Sequence, residues 1–122
     1  ALVSERGTTF GYDDLVVDLR SLIQMREFAP VCFDATHSVQ RRRPGDAASD
    51  GDRTMVAPLA RAAVAVGLDA IFVEVHPEPD TAPCDGPSQL GYQDFERLIT
   101  EVRAIDRVVA PGRSRPLGET GG

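Results

Sequence analysis

Positive charge is in short supply in this chain: 13 arginines and lysines stand against 19 aspartates and glutamates, a formal net charge of −6. A generic nucleic-acid or anionic-membrane binder needs a basic footprint to displace phosphate counterions, so neither class is expected. Any anion bound here has to be held by a local cluster. Cysteine is equally scarce. Cys32 lies inside an apolar run and Cys84 inside a polar loop, which makes neither a disulfide framework nor a paired Cys-x-x-Cys metal site. A reducing cytoplasm is the simple expectation. Long apolar runs are missing too: no stretch approaches the roughly eighteen consecutive apolar residues of a membrane span. No charged-apolar-small pattern at the start marks a signal peptide. The sequence opens at Ala1, without Met, directly in an apolar run that reads as the end of a strand, as if cut from something longer.

What is present is 122 residues, 42% hydrophobic and 26% charged, which fits one soluble globular unit. A strand is expected at 1–4, followed by the loop "ERGTTFGYDD". In "LVVDLRSLIQMREF", Leu15, Val16, Leu19, Leu22 and Ile23 fall near a 3.6-residue period, predicting a helix for the second half of the segment. "PVCFDAT" reads as a strand buried on both faces up to Asp34. "RTMVAPLARAAVAVG" places Met55, Val56, Leu59, Ala63 and Val66 on one helical face and stops at Gly67. "LDAIFVEVHP" reads as another doubly buried strand. A final helix carries Phe95, Leu98, Ile99, Val102 and Ile105 inward, and the polar tail from Ala110 to Gly122 is expected to be disordered. Strand and helix alternate with no hairpin signal, which predicts a parallel α/β sheet. Three such strands leave both sheet edges open, so the chain either oligomerises or forms part of a larger barrel.

Ligands of parallel α/β folds bind beyond the carboxyl ends of the strands. The first strand ends in Glu5 and Arg6, the second in Asp34 and His37, and the third in Glu74 and His76. Glu74 and His76 share a face by the period-two rule. With Asp85 they form a plausible divalent-metal set, or else a satisfied structural network. Arg6, before Gly7, suits a phosphate or carboxylate, though the residues alone favour a salt bridge to Glu5 or Asp34. The run Arg41, Arg42 and Arg43 reads as solvated loop surface, and Cys84, with no base nearby in sequence, as a bystander.

The segments "ERGTTFGYDDLVVDLRSL", "FDATHSVQ", "ARAAVAVGLDAIFVEVHPEPD", "CDGPSQL" and "AIDR" together resemble the C-terminal part of the 3-deoxy-D-manno-octulosonate 8-phosphate synthases. The related 3-deoxy-D-arabino-heptulosonate 7-phosphate synthases are the alternative, with "FGYDDLVVD" and "EVHPEPD" favouring the former. The resemblance covers residue 2 to about residue 109. It implies the last three βα units of a (β/α)8 TIM barrel, a homotetramer in full-length form, and the condensation of phosphoenolpyruvate with D-arabinose 5-phosphate on the route to the lipopolysaccharide sugar Kdo. It also implies that Arg6, His37 and Ser49 bind substrate and that His37, Glu74 and Asp85 are catalytic.

In metal-dependent members the positions of His37, Glu74 and Asp85 hold a divalent cation, together with a cysteine near the family's N-terminus. Metal-independent members have asparagine there. Cys84 before Asp85 resembles the metal-independent type and Gln89 some of the metal-dependent ones, so both types stay open. Residues 39–53 resemble the mobile loop over the substrates, in which Asp50 replaces a glycine; Ser4 stands where many relatives have cysteine. The family's two lysines, its "KANR" segment and five strands have no counterpart in these 122 residues. The chain alone is therefore expected to be inactive, or to act as a non-catalytic half-barrel that assembles with a partner chain.

Overall fold

The computed structural model describes residues 2–9, 15–41, 50–81 and 86–113. Strand β1 (Val3–Glu5) leads into β2 (Thr8–Thr9), β3 (Leu15–Val16) and helix α1 (Arg20–Arg26). Strand β4 (Val31–Asp34) is followed by a 3-10 turn at His37–Val39 and by β5 (Gln40–Arg41) and β6 (Asp50–Gly51). A 3-10 turn at Arg53–Met55 opens helix α2 (Val56–Val66), and β7 (Ala70–Phe72) precedes the long helix α3 (Tyr92–Arg113).

Strands β1, β4 and β7 form one parallel sheet in that order, with Glu5 opposite Phe33 and Asp34 opposite Phe72. The central strand is buried as expected, Val31 and Phe33 fully and Cys32 nearly so, because it has a strand on either side and helices over it. Helix α2 packs against α3 and α1. Leu22, Val31, Phe33, Val56 and Leu98 are the large, fully buried aliphatic and aromatic side chains. Burial of each contributes about 1.5–3 kcal/mol. Among the described residues two glycines have positive φ, Gly7 at 93° and Gly67 at 120°. Gly67 ends α2 in a conformation an L side chain rarely adopts. Pro58 sits in the first turn of α2, where no backbone donor is lost.

Several expectations are corrected. Two small antiparallel pairs exist, β2 with β3 and β5 with β6. Each strand is two residues long, too short for an alternation pattern to register. The strand expected through His76 stops at Phe72, and among the described residues it has a strand partner on one side only. Its side chains are accordingly half-buried or exposed, Phe72 at 44%. Beyond it the described residues make a parallel bridge, Val75 to Leu90.

The buried stripe of α2 is Val56, Ala60, Ala63 and Val64, while Met55 lies in the preceding turn and is exposed. Val56 and Ala63 are buried and Leu59 and Val66 pack against the core as expected, so Met55 is the one residue of the expected face that the structure leaves out. On α3, Leu98 and Val102 are buried, with Phe95, Ile99 and Ile105 packed beside them. That helix runs to Arg113, past the expected start of the tail, and 114–122 lie outside the described residues. Among the described residues no helix is long and apolar enough to cross a membrane.

Candidate active site at the carboxyl-terminal rim

The rim is built where three strand ends stop in register. At the end of β4, Asp34 turns its carboxylate forward over the next residues of the chain. Its Oδ1 accepts the backbone N–H groups of Thr36 at 3.1 Å and His37 at 2.8 Å, and its Oδ2 lies 2.7 Å from His37 Nδ1. The carboxylate thereby nucleates the 3-10 turn and holds the imidazole. The His37 ring stacks on Phe72 of the neighbouring strand, with centroids 5.9 Å apart and planes at 22°. Its Nε2 reaches to 3.5 Å from Glu74 Oε1.

Glu74 is fixed by three contacts. Its backbone N–H donates to the buried Thr36 hydroxyl at 2.7 Å, its carbonyl accepts from Leu90 N–H at 3.1 Å, and its Oε2 accepts from Gln89 Nε2 at 3.0 Å. A run of polar contacts thus links Asp34, His37, Glu74 and Gln89 across the strand ends. Beside His37, the Ser38 hydroxyl is buried without a hydrogen-bond partner among the described residues.

At the end of β1, Glu5 is buried, while Arg6 is exposed and makes no ion pair among the described residues. The anticipated Glu5–Arg6 or Asp34–Arg6 salt bridge is absent for a geometric reason. Glu5 Oε1 accepts the Gly7 N–H at 2.8 Å and Oε2 accepts the Ser21 hydroxyl at 2.7 Å, while Asp34 is engaged with His37.

The structure therefore brings His37 and Glu74 together. It does not pair Glu74 with His76 on one strand face, because the strand ends before both; His76 Nδ1 instead accepts the Glu78 N–H at 2.9 Å. Ser49, Cys84 and Asp85 lie outside the described residues, as do Arg42 and Arg43. Arg41 and Asp50 pair through their backbones in β5 and β6, so Asp50 sits in strand, not in a turn. Three positions that residue pattern did not mark as part of the site are Thr36, Phe72 and Gln89. A polar residue buried next to an Asp–x–x–His turn is the one local signal, and it applies to Thr36 alone.

Chemically, an imidazole nitrogen facing a carboxylate at this distance can share a proton or a cation. Among the described residues no group of three His, Cys, Asp or Glu side chains is placed to hold a metal ion. His37 and Glu74 supply two donors of a mixed nitrogen–oxygen set that suits a borderline divalent cation, and a third has to come from elsewhere. The Cys32 thiol is free, buried beneath this rim, and burial, reinforced by the Asp34 charge, raises its pKa against a lowering hydrogen bond with Ser4.

Comparison with known proteins bears on the family and the fold. The profile of the DAHP synthetase I family matches residues 1–109. A protein of Syntrophotalea carbinolica named 2-dehydro-3-deoxyphosphooctonate aldolase is 53% identical over 109 residues, covering 88% of this chain and 39% of that protein. Its namesake from Proteus mirabilis is 50% identical over 111 residues, with the same two coverages. The chain thus spans about two fifths of the length of the curated relatives it matches. Among solved structures, phospho-2-dehydro-3-deoxyheptonate aldolase (DAHP synthase) from Thermotoga maritima superposes with a TM-score of 0.73 at 33% identity, covering 88% of this chain and 30% of that one. A truncated 3-deoxy-D-arabino-heptulosonate 7-phosphate synthase from the same organism gives 0.67 at 32% identity, covering 90% of this chain and 38% of that one. With three parallel strands, interleaved helices and a polar rim in the expected order, the chain belongs to the DAHP synthetase I family and has the architecture of a partial (β/α)8 barrel.

Proposed function

We propose that this chain forms part of the active site of a 3-deoxy-D-manno-octulosonate 8-phosphate synthase, which condenses phosphoenolpyruvate with D-arabinose 5-phosphate and releases phosphate. The observation that carries the reading is the approach of His37 Nε2 to Glu74 Oε1, 3.5 Å apart beyond the ends of adjacent parallel strands. The relatives named 2-dehydro-3-deoxyphosphooctonate aldolase, at 50–53% identity, support the octulosonate class.

Carbon 3 of phosphoenolpyruvate attacks the sugar aldehyde, whose oxygen takes up a proton. Water adds at carbon 2 and gives up a proton, and phosphate leaves from that carbon to form the ketone. Arg6, exposed on the same rim, binds phosphate through its planar guanidinium. His37, held by Asp34, and Glu74, held by Gln89, border the reacting carbons and move protons between water and oxygen. Ser49 as a substrate contact and Asp85 as a third site carboxylate belong to the same proposal. In a metal-dependent member, His37, Glu74 and Asp85 would hold a divalent cation, which supplies Lewis-acid polarisation or an oriented water. A cytoplasmic location, argued from cysteine usage, and a full-length homotetramer complete the reading.

The full-length protein that contains this segment tests it. Condensation with arabinose 5-phosphate is expected to exceed that with erythrose 4-phosphate, and the reverse preference would move the protein to the heptulosonate class. His37→Ala and Glu74→Ala are each expected to lower kcat at least about 100-fold. Near-normal rates in both variants would sink the site assignment.

A second reading has its own observation. Among the described residues β1 and β7 are each paired on one side only, and an apolar groove lined by Val64, Leu68, Ile71, Phe95, Ile99 and Val102 adjoins β7. Both features suit assembly of this half-barrel with a complementary set of βα units. Under this reading the 122-residue chain has no turnover alone and forms a stable complex with the complementary half. Phosphate release by the isolated chain, given both substrates, would overturn it.

A further inference from the structure

We infer that Asp34 is a positioning residue that fixes the neutral His37 ring with its proton on Nδ1 and its lone pair on Nε2, aimed at the Glu74 side of the rim. The inference deepens the proposed active site, but its test does not depend on turnover.

An ionised carboxylate only accepts hydrogen bonds, so the 2.7 Å approach of Asp34 Oδ2 to Nδ1 requires a proton on that nitrogen. Asp34 cannot rotate away without loss, because its other oxygen accepts the backbone N–H groups of Thr36 and His37. The ring cannot tilt freely either, since it lies against Phe72. A neutral imidazole carries one proton, so Nε2 must then bear the lone pair. Facing Glu74 Oε1 at 3.5 Å, that nitrogen and the carboxylate present two electron-rich atoms to one small region. Such a pair is complementary to a proton or a cation placed between them. Asp34 acts through His37 and not on substrate.

The second histidine is an internal control. His76 Nδ1 accepts the Glu78 N–H, so it bears the lone pair and the His76 proton resides on Nε2. The two histidines of the chain are thus held in opposite tautomers.

Long-range proton–nitrogen correlation NMR on the 15N-labelled 122-residue chain reads both tautomers directly, at a pH where both rings are neutral, with His76→Gln to assign the signals. The expected spectrum shows Nδ1–H for His37 and Nε2–H for His76. An Nε2–H tautomer at His37 would overturn the inference. Asp34→Asn keeps an acceptor for the backbone N–H groups but turns an amide donor toward Nδ1. It is expected to reverse the His37 populations, with the far-ultraviolet circular dichroism of the chain unchanged; an unreversed tautomer in the folded variant would refute the role of Asp34. Should Asp34→Asn not fold, Glu74→Gln decides between the two carboxylates. His37 stays Nδ1–H if Asp34 sets the proton, and its loss would assign that control to Glu74.

Discussion

Glu5 and Arg6 are adjacent in sequence and oppositely charged, yet they do not pair: the Glu5 carboxylate accepts from Gly7 N–H at 2.8 Å and from the Ser21 hydroxyl at 2.7 Å. The carboxylate is buried and the guanidinium exposed, so Glu5 supports the local structure while Arg6 is left facing solvent, where the proposed function gives it a phosphate to bind. Glu5→Ala strands the Gly7 amide and the Ser21 hydroxyl, and is expected to cost about 1–3 kcal/mol in urea unfolding. Arg6→Ala is expected to leave the midpoint within about 0.5 kcal/mol of the parent while weakening phosphoenolpyruvate binding in the complete enzyme. Equal destabilisation by both changes would mean that Arg6 has a structural partner.

Much of this rim was readable from residue order alone. Alternating strand and helix patterns force a parallel sheet, a parallel sheet puts its reactive edge at the carboxyl ends, and Arg6, His37 and Glu74 are the polar residues at or just past those ends. The contacts that hold them were not readable. Thr36 and Glu74 are 38 residues apart, and nothing local announces that the hydroxyl of one receives the amide of the other. Gln89 meets Glu74 because the 88–90 segment pairs back onto 74–76, a tertiary event without a period. Asp34 and His37 were both visible, but only the turn between them turns two polar residues into an oriented pair.

Cys32 gives a pH dependence. Burial, then the nearby Asp34 charge, raises its thiol pKa, against a lowering hydrogen bond with Ser4, its partner across β1 and β4. A thiol with a raised folded-state pKa holds its proton more tightly in the native chain than in the unfolded one. The stability this contributes is fully present below the ordinary thiol pKa and is lost as pH rises through the folded value. In a Cys84→Ser background, unfolding midpoints should fall on the alkaline side relative to Cys32→Ala. A thiol reagent at mildly alkaline pH should label the native chain far more slowly than the unfolded one. Rapid native labelling would contradict the buried environment.

Ser38 makes the opposite case to Glu5. Among the described residues its buried hydroxyl has no hydrogen-bond partner, so folding removes the water that solvates it in the unfolded chain without supplying a partner from these residues. Ser38→Ala removes one atom and that desolvation cost together. Stability is expected to stay level or rise by about 1 kcal/mol in equilibrium urea unfolding. A loss of more than that amount would show that the hydroxyl has a partner in solution.

Asp69 tests whether the two ends of the sheet have separate duties. It sits just before β7, at the end opposite the rim, where Oδ2 accepts the Val31 N–H at 2.8 Å and faces Arg26 Nε at 3.5 Å, while its own N–H donates to the Val31 carbonyl at 3.0 Å. This reciprocal bond ties the start of β7 to the start of β4. Removing the side chain leaves a backbone donor of fully buried Val31 without its acceptor and takes one carboxylate away from Arg26. Asp69→Ala is therefore expected to lower unfolding stability by about 1–3 kcal/mol, with Asp69→Asn losing less because its amide oxygen still accepts from Val31. In barrels of this type the amino-terminal face carries stability and the opposite face chemistry. The His37 and His76 tautomer signals should accordingly be unchanged in folded Asp69→Asn. Their disturbance would mean that the strand ends are coupled through the central strand, and that the division of labour along β4 does not hold.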